Sequence, residues 1–192
     1  MNLSQYLSPR LKVESHQKPF SYFVLRDVFV TSFARKIQST LKKQDFFRRD
    51  SDLFSFAQTE DLKKTQDVVL REFYSVLNSL ELKQFIFQKM KIKAFGVIDC
   101  AGFLYQQGDY LLPHDDSLET RKIAYIYYLS PNFSSTDGGS LDLFSGNNVV
   151  TSLVPQFNSL ILFPVLPGKS IHRVAEVVAK KKRYSFAGWF HA

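Results

Sequence analysis

One cysteine, one tryptophan, two methionines and eight glycines are all that this chain of 192 residues has of those types. A single thiol, Cys100, cannot close an internal disulfide. It sits in an apolar stretch and reads as a buried strand thiol, which points to a reducing, cytoplasmic setting, with the nucleus open to a eukaryotic chain. No apolar run approaches the length of a membrane span. The opening M-N-L-S-Q-Y-L-S-P-R has no apolar core of the kind a secretory leader carries, so none is expected. Repeats, low-complexity tracts and linkers are also missing. What remains is 45% hydrophobic, with 19 Phe and 9 Tyr, enough for one domain with an aromatic-rich core.

The formal net charge is +7. That permits an acidic partner without requiring one. The sharpest basic cluster, A-K-K-K-R, reads as a solvated turn from Lys180 to Lys182 before the last strand, with Arg183 entering that strand and able to face inward. Direct nucleic-acid binding is not expected.

Two patterns divide the chain. Residues 1–19 read as an irregular arm and residues 19–25 as a short strand. Residues 27–43 read as a helix with Val30, Phe33, Ala34, Ile37 and Leu41 on one face. Residues 44–60 read as a loop with a short strand that could fold over a site entrance. A second helix is predicted over 60–77, with Leu62, Val69, Leu70, Phe73 and Leu77 on its apolar side. A third, capped by Ser79, runs on to Met90. From Ile92 onward the pattern changes to strands at about 96–106, 110–115, 121–129, 140–144, 149–154, 159–163, 170–177 and 183–191. Turn chemistry separates them, including Gly108, Gly138-Gly139, Gly146 and Pro167-Gly168. The predicted class is α+β, mainly β: a double-stranded β-helix, or jelly roll, over about 92–192, buttressed by helices over about 26–91, in one domain over 1–192.

His114 and Asp116 form an H-x-D pair at the end of one predicted strand. In an extended strand residues i and i+2 share a face, so the two side chains are predicted to project together, with Asp115 turned away. A third ligand must come from another strand, and His172 in S-I-H-R-V supplies it. Two imidazoles and one carboxylate on one face make a site for Fe(II) with about three open positions for a bidentate cosubstrate and O2. Arg183, a short hairpin beyond His172, places a planar guanidinium nearby to grip a second carboxylate. Each residue alone is a weak signal. Their joint order is specific.

The stretches C-A-G-F-L-Y-Q-Q-G-D-Y-L-L-P-H-D-D, R-K-I-A-Y-I-Y-Y-L, D-G-G-S-L-D-L-F, F-N-S-L-I-L-F-P-V and H-R-V-A-E-V…R-Y-S-F-A-G-W-F-H resemble the 2-oxoglutarate- and Fe(II)-dependent prolyl hydroxylases. Within that family they resemble the eukaryotic branch that hydroxylates a proline in a small-subunit ribosomal protein. The resemblance implies iron ligation by His114, Asp116 and His172, and a salt bridge from Arg183 to the distal carboxylate of 2-oxoglutarate. It implies cosubstrate contacts from Tyr105 and Tyr128, and an aromatic near the substrate entrance at Trp189. It also implies Fe(II), 2-oxoglutarate and O2 as requirements, with ascorbate as a candidate addition. The partner it implies is a protein carrying a target proline, ribosomal or a translation factor. By their surroundings alone, Tyr105 and Tyr128 also fit a core role, Trp189 and His191 fit packing, and His16 fits the surface. The eukaryotic enzymes of that branch carry a second, C-terminal barrel-like domain, and the chain is expected to span the catalytic one. The residues leave three rival functions: a hydroxylase of a free amino acid or small metabolite, a nucleic-acid demethylase, and a catalytically dead cupin-like binding protein. The demethylase needs a second Arg soon after Arg183, and Y-S-F-A-G-W-F has none.

Overall fold

The computed structural model describes residues 3–118 and 120–192. The first half holds β1 (Lys12–His16), β2 (Tyr22–Arg26), α1 (Thr31–Leu41), β3 (Phe47–Ser51), β4 (Phe54–Asp61), α2 (Val68–Leu77) and α3 (Leu80–Met90). The second half holds β5 (Ala101–Tyr105), β6 (Tyr110–His114), β7 (Arg121–Tyr128), β8 (Leu141–Ser145), β9 (Asn148–Leu153), β10 (Ser159–Pro164), β11 (His172–Val174) and β12 (Arg183–His191). The strands join in one curled antiparallel sheet, in the order β1-β2-β10-β7-β12-β5-β4-β6-β11-β8-β9, with β3 paired to β4. The long excursions between spatial neighbours are those of a jelly roll.

Period-two alternation sorts the strands between two cores. On β7, Tyr125 and Tyr127 face the helices, with Phe186 of β12, Leu160 and Leu162 of β10, and Phe23 and Leu25 of β2. On the opposite face Ala124, Ile126 and Tyr128 turn into the barrel, with Ile161, Phe163, Leu141 and Leu143. Strands buried on both sides read as near-continuous apolar runs, which is why I-A-Y-I-Y-Y and S-L-I-L-F carry no polar face. The helices cover the outer face. Phe73 of α2 meets Phe29, Tyr127 and Phe186 with ring centroids 4.8–6.1 Å apart. Asp67 caps α2 by accepting from Val69 N and Leu70 N. Ser79 caps α3 by accepting from Leu82 N, as its position predicts.

Four sequence expectations are corrected. The arm contains a strand, because β1 pairs with β2 from Lys12↔Arg26 to His16↔Tyr22. It is a polar edge strand and leaves no apolar alternation to read. The first helix starts at Thr31 instead of residue 27. Asp27 has φ 50°, and Val28 N and Phe29 N donate to Asn158, which holds this segment extended. The region 44–60 is a hairpin, β3–β4, and β4 joins the main sheet through both β5 and β6. β4 then runs to Asp61, so the second helix is delayed to Val68, and Leu62 reaches the core from a single 3-10 turn. Gly138 does serve a turn: its φ is 73°, and a Cβ there would lie 1.9 Å from the Glu176 carbonyl oxygen.

Cys100 is fully buried. Burial pushes its thiol up, against a hydrogen bond with Tyr125 that works the other way. A thiol-reactive reagent is therefore expected to label native protein roughly a hundredfold or more slowly than denatured protein, because it must wait for the core to open. Rapid native labelling, followed by absorbance of the released thiolate, would show that this part of the core is open.

Candidate active site

β6 and β11 lie side by side, with His114 and His172 as register partners. Their ring centroids are 4.2 Å apart. Asp116 completes the group, but not by the extended geometry the sequence predicts. β6 ends at His114, and Asp116 has φ 59°. The left-handed residue curls the chain back, and its carboxylate faces both rings. Asp116 Oδ1 lies 3.3 Å from His114 Nε2, and Oδ2 lies 3.3 Å from His172 Nε2. Asp115, turned away as expected, accepts from Gly168 N at 2.8 Å and Ser117 N at 3.0 Å. It ties the H-x-D turn to the Pro167-Gly168 turn that leads into His172.

The ring nitrogens on the far side are also fixed. His114 Nδ1 lies 2.9 Å from the Leu112 carbonyl and His172 Nδ1 lies 2.9 Å from the Ser170 carbonyl. A carbonyl only accepts, so each Nδ1 carries the proton and each neutral ring presents its Nε2 lone pair to the centre. Two lone pairs and a carboxylate aimed at one point repel unless a cation lies between them. Protons on the two Nε2 atoms are the alternative to a metal ion, and Asp116 favours them. Burial alone would raise the Asp116 carboxyl, but the hydrogen bonds and charges of His114 and His172 outweigh it and hold the carboxyl well below the usual range. Burial likewise opposes charging His114, and Asp116 overcomes it and pushes the ring up. One ligand atom from each residue lies within 4.8 Å of the other two. Backbone carbonyls that lock imidazole tautomers are the usual outer support of a metal site. This donor set fits Fe(II), with one face left open.

Arg183 is 1% exposed. Its Nη2 donates to the Tyr128 hydroxyl at 3.3 Å and its Nη1 to Ser185 Oγ at 3.4 Å, while Nε is buried with no partner. The rings of Tyr105 and Tyr128 sandwich it at 4.7 and 4.9 Å. Among the described residues no carboxylate comes within ion-pair distance of it. A buried guanidinium without an anion is costly, so the site is complete only with an acidic ligand. A dicarboxylate such as 2-oxoglutarate would supply it, since Arg183 shares a cavity with the His114, Asp116 and His172 cluster.

Arg183 and the three clustered residues line one cavity of about 280 Å³. Its walls are aromatic, from Phe54, Phe56, Phe103, Phe163 and Trp189. Tyr105 lines this cavity too. Tyr128 meets the site through its hydroxyl, which accepts from Arg183. His191 lies apart, bonded to Asp99 and Thr120. His16 sits on β1, half exposed and stacked on Tyr22.

Sequence reasoning missed Arg121. Its guanidinium lies 3.3 Å over the Trp189 ring, both residues line the cavity, and Nη1 donates to the Asp116 carbonyl at 3.4 Å. No sequence signal separates it from an ordinary strand-opening cation. Phe54 and Phe56 were readable, since F-S-F alternates, but the charged residues before them hid the strand.

Comparison with known proteins agrees with this geometry. Residues 100–191 match the model of the 2OG-Fe(II) oxygenase superfamily. Prolyl 3-hydroxylase OGFOD1 of Xenopus laevis is 36% identical over 181 residues, covering 90% of this chain and 35% of that protein. Prolyl 3,4-dihydroxylase OGFOD1 of Ostreococcus tauri is 34% identical over 196 residues, covering 90% of this chain and 38% of that protein. The chain therefore spans little more than a third of the length of these relatives. Among solved structures, a prolyl-4-hydroxylase of Pseudomonas putida superposes with a TM-score of 0.75 at 18% identity, covering 88% of this chain and 91% of that one. A prolyl hydroxylase of Trichoplax adhaerens, in complex with a peptide fragment of hypoxia inducible factor, superposes with a TM-score of 0.71 at 17% identity, covering 88% and 83%. Residues 100–191, with His114, Asp116 and His172 among them, thus match the 2OG-Fe(II) oxygenase superfamily, and 90% of the chain is similar to a part of the OGFOD1 prolyl hydroxylases.

Proposed function

We propose that this chain is a 2-oxoglutarate- and Fe(II)-dependent dioxygenase that hydroxylates a prolyl residue in a protein. The observation that carries the reading is a convergent donor set and an unpaired buried guanidinium in one aromatic cavity. When bound, iron and 2-oxoglutarate supply the oxidising chemistry: 2-oxoglutarate and O2 become succinate and CO2, and one oxygen atom enters a substrate C–H bond.

The protein's own residues prepare that reaction. The Leu112 and Ser170 carbonyls fix the two rings so that both Nε2 atoms point to the side of the Asp116 carboxylate. Asp116 contributes an anionic oxygen from a backbone turn that Asp115 braces. Arg183 makes a planar grip for the distal carboxylate, with Tyr128 and Ser185 fixing its plane. Phe54, Phe56 and Phe163 keep water from the reacting centre. The prolyl specificity rests on the relatives' names and on the resemblance of the motifs. Proteins of the translation machinery are the substrate class we propose to test first, because the branch resembled acts on a ribosomal protein.

The test incubates the chain with Fe(II), 2-oxoglutarate, air and a mixture of small-subunit ribosomal proteins, with free L-proline in a parallel reaction. The expected result is hydroxyproline in protein, dependent on both additions and seen as a 16 Da gain on a proline-containing peptide. Hydroxylation of free proline with untouched proteins would move the assignment to a small-metabolite hydroxylase.

A further inference from the structure

The catalytic cavity does not end at its mouth. A second hollow of about 630 Å³ adjoins it and shares Gln58, Phe103, Ala187 and Trp189 as walls. A third, of about 340 Å³, continues from it along Thr59, Glu60 and Asp61. The three form a furrow from the reacting centre outward along β4. A cavity of about 280 Å³ can hold a cosubstrate and one ring, not the chain on either side of that ring. A polypeptide leaving the mouth beside Trp189 enters the furrow directly.

The furrow's chemistry differs from the cavity's. Glu60, Asp61 and Asp99 line it, against Arg49 and Lys64, on a chain whose formal net charge is +7. Asp45 adds a further carboxylate in the outer hollow. Two of the carboxylates are held in place. Asp61 accepts from Lys63 N at 2.8 Å and Cys100 N at 3.3 Å, and Asp99 Oδ2 lies 2.9 Å from His191 Nε2. Glu60 is presented by a backbone irregularity. The β4–β5 register slips between Gln58 and Asp61, Thr59 Oγ1 accepts from Gly102 N, and Glu60 is left exposed over the furrow. A bulge beside an active site commonly re-aims a side chain in this way.

We propose that this furrow seats the substrate polypeptide on one side of the target residue and selects a lysine or arginine there, through Glu60, Asp61 and Asp99. The inference rests on the protein-hydroxylase reading above and adds a sequence preference to it. Phe47, Phe103 and Trp189 give the stem of a long basic side chain an apolar path, and the carboxylates meet its head.

The experiment uses a degenerate peptide library with one fixed central proline and flanking positions of mixed composition. The chain is given Fe(II), 2-oxoglutarate and air, and the peptides that gain 16 Da are sequenced by mass spectrometry. Lys and Arg are expected to be enriched about tenfold at one or two adjacent positions on one side of the proline, the sum of a few exposed charge pairs of ordinary size. Glu60→Lys, an exposed substitution, is expected to cut that enrichment to about a third or less, and 0.5 M salt to weaken it in the unaltered chain. A hydroxylated pool with no basic preference, or one that Glu60→Lys leaves unchanged, overturns the furrow proposal while the hydroxylase reading stands. Succinate release with no hydroxylated peptide, and with free proline consumed instead, overturns both.

Discussion

Arg183→Met is expected to abolish 2-oxoglutarate binding and leave the ligand-free protein at least as stable as wild type. The two halves of this prediction have separate causes. Charge-assisted hydrogen bonds contribute about 1.5–3 kcal/mol each. Losing a bidentate pair should then weaken binding by roughly a hundredfold or more, at about 1.4 kcal/mol per tenfold. In the ligand-free protein the guanidinium is buried with Nε unpartnered. Exchanging a buried charge for an apolar side chain of similar length is often neutral or stabilising. Met keeps the apolar stem and loses the guanidinium carbon that lies over the Tyr105 and Tyr128 rings. Arg183→Lys keeps the charge but not the planar fork, and is expected to fall between the two. Thermal unfolding with and without 2-oxoglutarate reads both effects together. Wild type should gain Tm with ligand and the Met variant should not. A Met variant that binds normally would remove Arg183 from the ligand site. One that unfolds several degrees lower without ligand would make Arg183 a structural residue.

Asp116→Asn is expected to lower metal affinity by about a hundredfold or more, and to reduce iron-dependent turnover to background. Loss of an outer supporting residue alone typically costs about 10–100-fold, and this change removes an anionic donor itself. Asn is the informative substitution because Asp116 has φ 59°. Asn tolerates the left-handed region, whereas Ala would add backbone strain that confuses the result. His172→Ala should match the metal loss, since its Nε2 faces the same carboxylate at 3.3 Å. Equilibrium dialysis against Fe(II) under argon, followed by succinate release in air, measures both. Unchanged iron stoichiometry in either variant would place the metal elsewhere.

Much of the site is legible because its residues obey local rules. His114 and His172 stand at strand ends bounded by turns, and Arg183 opens the longest apolar strand, so sequence order alone suggested that they converge. The barrel strands are legible for a different reason. Residues such as Tyr125 and Ile126 face two separate cores, and that leaves long apolar runs punctuated by Gly and Asn turns. The illegible parts share a cause as well. β1 and β3 carry almost only polar side chains, so neither shows a buried face, and each is defined by the strand it pairs with. The turn at Asp116 depends on Asp115 reaching Gly168, 53 positions away in sequence, which no local pattern reveals. Arg121 owes its place to Trp189, which comes 68 residues later and is adjacent only once β7 and β12 have paired.

Every role proposed above depends on iron ligation by His114, Asp116 and His172. It is tested most directly by loading the chain with Fe(II) and 2-oxoglutarate under argon, admitting air, and quantifying succinate beside a His172→Ala control. Slow succinate release is expected from the wild-type chain without any added substrate, and none from the control or without iron. Binding of neither iron nor 2-oxoglutarate, or succinate release that persists in His172→Ala, would contradict it.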